Sequence, residues 1–230
     1  MRNLIVDLSH SLYEKTPVSS DYIGVETILM ERAKDIQSDG RRSLNSSRIC
    51  VGMHCGTHMD SPFHFFDDGP TIDQISLDRF IGISVFANLK PLEKRSEIGF
   101  EQLIKFEKEV KKYKKLVIQT GWQDRWNDAS YFTDFPVLSE KAAEFLVSCG
   151  VNLIGIDTPS VDNPPFPAHI ELLGNNVVIV ENLTNLDTIN ESLFQLVVVP
   201  LKIKGAEASP ARALAMPKQA SSFDERGKTS

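Results

Sequence analysis

Residues 54–64 read HCGTHMDSPFH and contain three of the five histidines of the chain. Neutral imidazole and carboxylate are ligand types that suit zinc, manganese or iron(II), and the spacing of His54, His58 and Asp60 places two nitrogens and an oxygen near one point. A glycine and Pro62 argue against one uninterrupted helix, so we expect the side chains to converge where a strand end turns into a short helical segment. The stretch therefore predicts a divalent metal site.

Spacing alone does not tell which imidazole binds an ion and which does acid–base work. A different interpretation makes Cys55 a nucleophilic thiol that His54 or His64 assists. No oxyanion-donor motif accompanies Cys55, and a free cysteine is commonly a small buried residue. We therefore favour the metal site over the thiol.

The rest of the chain predicts more strand than helix. Runs rich in β-branched residues predict strands at residues 4–8, 26–30, 48–53, 84–89, 116–120, 151–156, 177–180 and 195–203. Helices are predicted at residues 100–115 and 139–149, so helix and strand alternate across this region. Residues 58–79 and 157–173 fit neither pattern, and irregular segments of that length within a domain are usually functional. The fold class is therefore mixed α/β (α+β), in a strand-rich single domain.

The composition of the chain limits which binding partners and which cellular compartment we expect for this protein. The 230 residues include 25 Lys and Arg against 31 Asp and Glu, a net charge of −6, which disfavours nucleic acid and anionic membranes as partners. No apolar run approaches the roughly 18 residues of a membrane span, and Asp7 interrupts the start before a signal-peptide core could form. Three cysteines without a CxxC pair predict reduced thiols. We expect a cytoplasmic protein that acts on a small molecule.

The motif that runs from His54 to His64, with Gly-Thr before His58 and Asp60 two residues after it, resembles the signature of the cyclase family of metal-dependent hydrolases. Bacterial kynurenine formamidases and isatin hydrolases belong to this family. Weaker matches follow in the expected order: DLSH at 7–10, TGW at 120–122, GIDTPS at 155–160, His169 before Leu172-Leu173, ENL at 181–183, and Gly205 with SPARA at 209–213. The resemblance spans about residues 4–215. We assign residues 1–218 to this domain and residues 219–230 to a polar flexible tail.

The resemblance implies a swivelling β/β/α fold, usually a homodimer, with one or two divalent ions per chain. Zinc is the first choice of metal and manganese the second. His54, His58 and Asp60 would hold one ion, and Asp60, His169 and Glu181 would hold the other. His64 would remain free as the catalytic base and acid. Glu181 also follows the apolar strand predicted at 177–180, where a carboxylate at a strand end can point into a cleft.

The implied activity is hydrolysis of a small amide or cyclic amide by metal-activated water, and N-formylkynurenine is the best-known candidate substrate. Isatin-like lactams or lactones are the alternative. A cyclase, a dehydratase, or a metal-binding protein of the same fold without turnover also stays open. A ligand-free His64 favours catalysis, because a purely structural site has no use for it.

One departure from the formamidases concerns the substrate pocket. Their N-terminal motif continues from Thr-Pro-Val into Trp-Pro-Gly-Asp, whereas here Ser19-Ser20-Asp21-Tyr22 follows. The aromatic residue expected to stack on the substrate ring is therefore missing. Several aromatic residues could rebuild this wall, although each could equally pack in the core: Tyr22, Phe63, Phe65, Phe66 and Trp122.

Overall fold

The computed structural model describes residues 5–31 and 45–217, so the tail expected at 219–230 lies outside the described residues. Strands are β1 (Val6–Asp7), β2 (Val25–Glu31), β3 (Ser46–Val51), β4 (His58–Asp60), β5 (Ile81–Asn88), β6 (Glu97–Ile98), β7 (Lys115–Gln119), β8 (Val137–Leu138), β9 (Leu153–Ile156), β10 (Val178–Glu181), β11 (Leu193–Pro200) and β12 (Ala208–Pro217). Helices are α1 (Phe100–Leu103), α2 (Glu107–Tyr113), α3 (Glu140–Ser148) and α4 (Pro167–Gly174). The expected strand-rich mixed α/β domain is confirmed.

The main sheet closes into a ring. Its strands follow the order β12-β11-β5-β7-β9-β10-β4, and β4 pairs back with β12, while β1 adds to the far part of β12. The pairs β5–β7, β7–β9 and β9–β10 are parallel, and the pairs that join β10 to β5 through β4, β12 and β11 are antiparallel. The short strand β4 is thus the piece that closes the ring.

Alternate residues of the ring strands enter two separate cores, as expected for a pleated sheet that is covered on both faces. Val117 and Val180 pack in one core with residues of β11 and β12. Their neighbours Ile118 and Ile179 pack in the other core, against α2, α3 and α4. Helices therefore cover one face of the sheet, and strand residues fill the enclosed side.

Helix α3 begins where the sequence predicts it, because the Ser139 side chain accepts a hydrogen bond from the Ala142 backbone N–H at 3.1 Å. The predicted helix 100–115 is wrong in its continuity and its end. A 3₁₀ turn at Ile104–Phe106 separates α1 from α2, and Lys114 adopts a left-handed conformation (φ 62°) that ends α2 before β7 begins. The charged side chains of this run do not by themselves indicate where the helix ends.

Several further elements were not predicted, among them the short strands β6 and β8, helix α4 and strand β12. Segment 157–173 is irregular only in its first half, because α4 begins at Pro167, a residue tolerated in the first turn of a helix. Strand β12 contains the SPARA part of the motif that begins at Gly205, and it includes two prolines, which usually argue against a strand. No helix among the described residues is long and apolar enough to cross a bilayer.

Candidate metal centre

Strand register places three of the expected ligands on one face of the ring. Glu181 of β10 lies directly opposite His58 of β4, and Asp60 lies two residues further along β4. Side chains two residues apart on a strand share a face, and directly opposed residues do so as well. Met59 and Val180 point the other way, into the core enclosed by the ring. The three polar side chains therefore face the helix-covered side.

The other three expected site residues come from connecting segments and from α4. His54 precedes β4, His64 ends the 3₁₀ helix Pro62–His64 that follows it, and His169 lies in the first half of α4. The strand-to-helical turn expected around Pro62 is confirmed. All six predicted site residues line one cavity of about 270 Å³.

Five of these side chains form two groups that share Asp60. In the first group, Asp60 Oδ1 lies 3.0 Å from His54 Nδ1 and 3.6 Å from His58 Nε2. In the second group, His169 Nε2 lies 3.4 Å from Glu181 Oε1 and 4.0 Å from Asp60 Oδ2. Within each group the ligand atoms lie no more than 4.8 Å apart. Each group thus offers three nitrogen or oxygen donors to one ion.

Hydrogen bonding around His58 fits a cation at the first group. The Gly56 carbonyl lies 2.9 Å from His58 Nδ1, so the ring donates from Nδ1 and a neutral ring keeps its lone pair at Nε2. This Nε2 lies 3.3 Å from Glu181 Oε2. His58 Nε2 and Asp60 Oδ1 are both buried without a hydrogen-bond partner. Buried lone pairs that face one another need a proton or a cation between them, so these residues fit a divalent ion.

Electrostatics at the centre also favours positive charge. Burial opposes a charge on His58, but the carboxylates of Asp60 and Glu181 outweigh it and raise the pKa of His58 to about 9. Burial is likewise outweighed at His169, where hydrogen bonds from the ring to Asp162 and Glu181 raise the pKa to about 10. The pKa values of Asp60 and Glu181 are lowered, against their own burial, by the neighbouring imidazoles. Both carboxylates are therefore ionised and ready to bind a cation.

Asp162 positions His169. Its Oδ1 lies 2.5 Å from His169 Nδ1, and its Oδ2 accepts hydrogen bonds from the backbone N–H of Ala168 (2.6 Å) and of His169 (3.3 Å). This carboxylate fixes Nδ1 as the protonated nitrogen and leaves Nε2 to face Asp60 and Glu181, the usual role of a carboxylate behind a ligating histidine.

A second buried network supports His58. Asn182 donates from Nδ2 to the Gly56 carbonyl (3.0 Å), which is the acceptor for His58, and Tyr131 donates its hydroxyl to Asn182 Oδ1 (2.9 Å). Glu181 is held separately, because the Val161 backbone N–H donates to its Oε1 at 3.0 Å.

Sequence reasoning missed Asp162, Asn182 and Tyr131 as members of the site. Asn182 lies in the ENL match at 181–183, and an aspartate shortly before Pro167 is a candidate to cap the following helix, so these two residues carried a signal and Tyr131 carried none.

His64 belongs to neither group of ligands. Its ring lies beside that of His54, with centroids 4.3 Å apart, and faces the same cavity. Burial is the main cause that lowers the pKa of His64 below 6.5. Its ring is therefore neutral near pH 7 and able to accept a proton.

Aromatic side chains form a wall of the cavity, and Tyr22 and Phe65 are the two expected residues that take part. Tyr22 stacks on His54 at 4.6 Å between ring centroids, and Phe65 stacks on His169 at 5.1 Å. Trp122 and Phe66 pack in the cores instead, and Phe63 is not among the lining residues. Three lining residues were not anticipated: Phe132, Phe135 and Phe166. Tyr22 thus contributes an aromatic ring to the cavity wall next to His54.

The interpretation of Cys55 as a nucleophile is wrong. Its side chain is fully buried, it does not line the cavity, and burial raises the pKa of its thiol. A protonated, inaccessible thiol cannot attack a substrate.

Known proteins share this sequence pattern and this fold. A profile of the family described as "Putative cyclase" matches residues 6–163. The chain belongs to this cyclase family. It is 32% identical to the kynurenine formamidase of Bacillus anthracis over 179 residues, which cover 76% of this chain and 81% of the relative. It is also 32% identical to that of Geobacillus thermodenitrificans over 217 residues, which cover 93% and 97%.

Among solved structures, isatin hydrolase A from Labrenzia aggregata, bound to benzyl benzoate, superposes with a TM-score of 0.78 at 26% identity over 93% of each chain. The fold implied by the sequence motifs is thereby confirmed. Together with the carboxylate–histidine centre, these relatives make the chain an enzyme of the metal-dependent hydrolase class.

Proposed function

We propose that this enzyme hydrolyses the amide bond of an aryl formamide, with N-formylkynurenine the best-known candidate substrate. The observation that carries the proposal is the pair of three-ligand groups that share Asp60 in a cavity walled by aromatic side chains. The similarity to the kynurenine formamidases of Bacillus anthracis and Geobacillus thermodenitrificans supports the formamide as the reacting group.

His54, His58 and Asp60 would hold one divalent ion, and Asp60, His169 and Glu181 would hold a second. When bound, such an ion supplies Lewis acidity, which lowers the pKa of water from about 15.7 towards about 7 and polarises a carbonyl group. The donor set of two imidazoles and one carboxylate suits zinc for the first group, and the set richer in oxygen accepts zinc or manganese.

His64 performs the proton transfers in this proposal. Its neutral ring accepts a proton from the attacking water and donates it to the nitrogen of the leaving amine. Asp162 fixes which ring nitrogen of His169 carries the proton, and the Gly56 carbonyl, which Asn182 holds in place, does the same for His58. The aromatic wall holds the ring of the substrate and excludes water from the side away from the centre.

Homodimer formation and a cytoplasmic location complete the proposal. The free state of Cys50, Cys55 and Cys149 supports a reducing compartment.

A cyclic amide or lactone is the second candidate substrate, and the superposition on isatin hydrolase A favours it. A lactam presents the same carbonyl and leaving nitrogen to the centre but releases no separate product on cleavage.

Metal analysis of the purified protein, followed by a panel of aryl formamides, lactams and lactones, tests the proposal. We expect one or two divalent ions per chain and turnover of an aryl formamide. Turnover restricted to lactams or lactones would select the second candidate. Stoichiometric metal without turnover of any member would instead indicate a cyclase, a dehydratase or a non-catalytic metal-binding protein.

A further inference from the structure

The cavity wall beyond the metal-ligand groups is aromatic and nearly free of charge. Tyr22, Phe65, Phe132, Phe135 and Phe166 supply rings, and the uncharged polar residues Ser160 and Asn163 lie among them. A flat aromatic amide fits such a wall, because apolar and aromatic surfaces provide the burial while a few polar groups fix orientation.

The formal charges that do line the cavity are negative. Apart from the ligand groups and Asp162, which is bonded to His169, the charged lining residue is Asp21. No lysine or arginine of residues 5–31 and 45–217 lines this cavity.

The distribution of charge along the cavity wall affects which substituent a substrate can have at the end remote from its reacting carbonyl. The carboxylates of Asp60 and Glu181 would offset two of the positive charges that bound ions bring, and Asp21 is the formal charge that lines the cavity away from these groups. A remote carboxylate would meet Asp21 without a cationic partner among the described residues. A remote ammonium group would meet Asp21 and the faces of aromatic rings, both of which attract cations.

We propose that the site selects aryl amides whose side chain is uncharged or carries an ammonium group, that it discriminates against a lone carboxylate, and that Asp21 is the specificity-determining residue. The inference rests on the proposed aryl formamidase function. It predicts that N-formylkynurenine, which carries both charges, is a poorer substrate than its decarboxylated amine analogue.

Four 2-formamidophenyl ketones test the proposal on the zinc-loaded enzyme. Their side chains end in an alkyl group, an ammonium group, a carboxylate, or the α-amino acid of N-formylkynurenine. The order of kcat/KM is expected to be ammonium, then alkyl and amino acid, then carboxylate, with steps of about 3- to 10-fold from one exposed charge and from cation–π contact. The affinities of the four deformylated amines, measured as Kd values by fluorescence titration, are expected to follow the same order, with the ammonium compound bound most tightly.

Two variants assign the effect to Asp21. Asp21→Asn is expected to reduce the ammonium-to-carboxylate ratio of kcat/KM by about 3- to 10-fold, and Asp21→Lys is expected to invert it. Glu191→Gln removes the same charge from an exposed residue that does not line the cavity, and it is expected to leave the ratio unchanged.

The outcomes separate this inference from the proposed function. Turnover with a preference for the carboxylate probe, or a ratio indifferent to Asp21→Lys, would overturn the charge selectivity and leave the formamidase function standing. Binding of the amines in the expected order without hydrolysis of any formamide would reject the formamidase function and uphold the selectivity.

Discussion

Replacing Asp162 by asparagine is the change that most directly tests how the second ligand group is built. The two oxygens of Asp162 have different tasks: one accepts the proton of His169 Nδ1 and the other accepts two backbone N–H groups at the start of α4. An asparagine has one oxygen and one NH₂ group, so it can perform only one task. If its oxygen keeps the helix, its NH₂ faces Nδ1 and forces the proton of the His169 ring to Nε2, where an ion should bind.

The size of the effect follows from these contacts. Loss of a carboxylate behind a ligating histidine typically reduces metal affinity 10- to 100-fold, which is about 1.4–2.7 kcal/mol of binding free energy. Loss of the helix-capping oxygen instead costs about 0.5–2 kcal/mol of folding free energy. Because two backbone N–H groups depend on one oxygen of Asp162 and a single ring N–H depends on the other, we expect the side chain to keep the helix and the loss to fall mainly on metal affinity.

Calorimetric titration of zinc into the apoprotein measures the effect site by site, and urea denaturation of the apoprotein measures the folding free energy. Asp162→Asn should weaken the site that contains His169 and leave the His54–His58 site within a few-fold of the parent. Asp73→Asn is the matched control, because Asp73 also accepts a backbone N–H bond, from Gly205, but does not line the cavity. An Asp162→Asn protein with unchanged affinity at both sites would refute the positioning role.

Three further predictions concern the histidines. His64→Ala should retain its metal content and lose about 10²- to 10⁴-fold in kcat, the usual effect of removing a general acid–base group, and loss of metal together with activity would make His64 a ligand. The double variant His58→Ala/Asp60→Ala should lose metal by elemental analysis whereas His10→Gln retains it, and unchanged metal content in the double variant would contradict the assigned ligands. His10 stacks on Trp126, and burial lowers its pKa from 6.5 to about 4. The buried neutral ring therefore contributes to the folding free energy above pH 6.5, and this contribution is lost as the pH falls towards 4. Over that window the parent should lose about 1–2 kcal/mol more folding free energy than His10→Gln in urea denaturation, and equal losses would show that His10 is not protonated with unfolding.

The grouping of His54, His58 and Asp60 could be predicted because the information is local. His58 and Asp60 occupy alternate positions of one short strand, and alternation alone puts their side chains on one face. His54 and His64 flank that strand within a few residues. A run of eleven residues therefore determines most of the convergence, whatever the rest of the chain does.

The remaining parts depend on contacts that no local pattern specifies. Strand β12 contains Pro210 and Pro217, and it is a strand because β4, β11 and β1 supply its pairing partners. Pro210 lies opposite His58 in the pairing with β4, so the second edge of β4 is set by residues far along the chain. Helix α4 follows a run of prolines that reads as a loop. Asp162 and Asn182 join the centre only through the fold, since their partners are a helix start and a loop carbonyl.

The strand pairing that closes the sheet into a ring also brings the two groups of candidate ligands together. Strand β4 has three residues, pairs with β10 on one edge and with β12 on the other, and carries His58 and Asp60 on the face away from the enclosed core. The opposed pair of His58 and Glu181 is at once a register pair of the sheet and a contact between the two ligand groups. Two buried carboxylates on adjacent strands would repel each other and open this seam unless positive charge lies between them. Protonated His58 and His169 can supply this charge in the apoprotein, and a bound cation would supply it in their place; the pairing of β4 in turn fixes the residues to which that cation would bind.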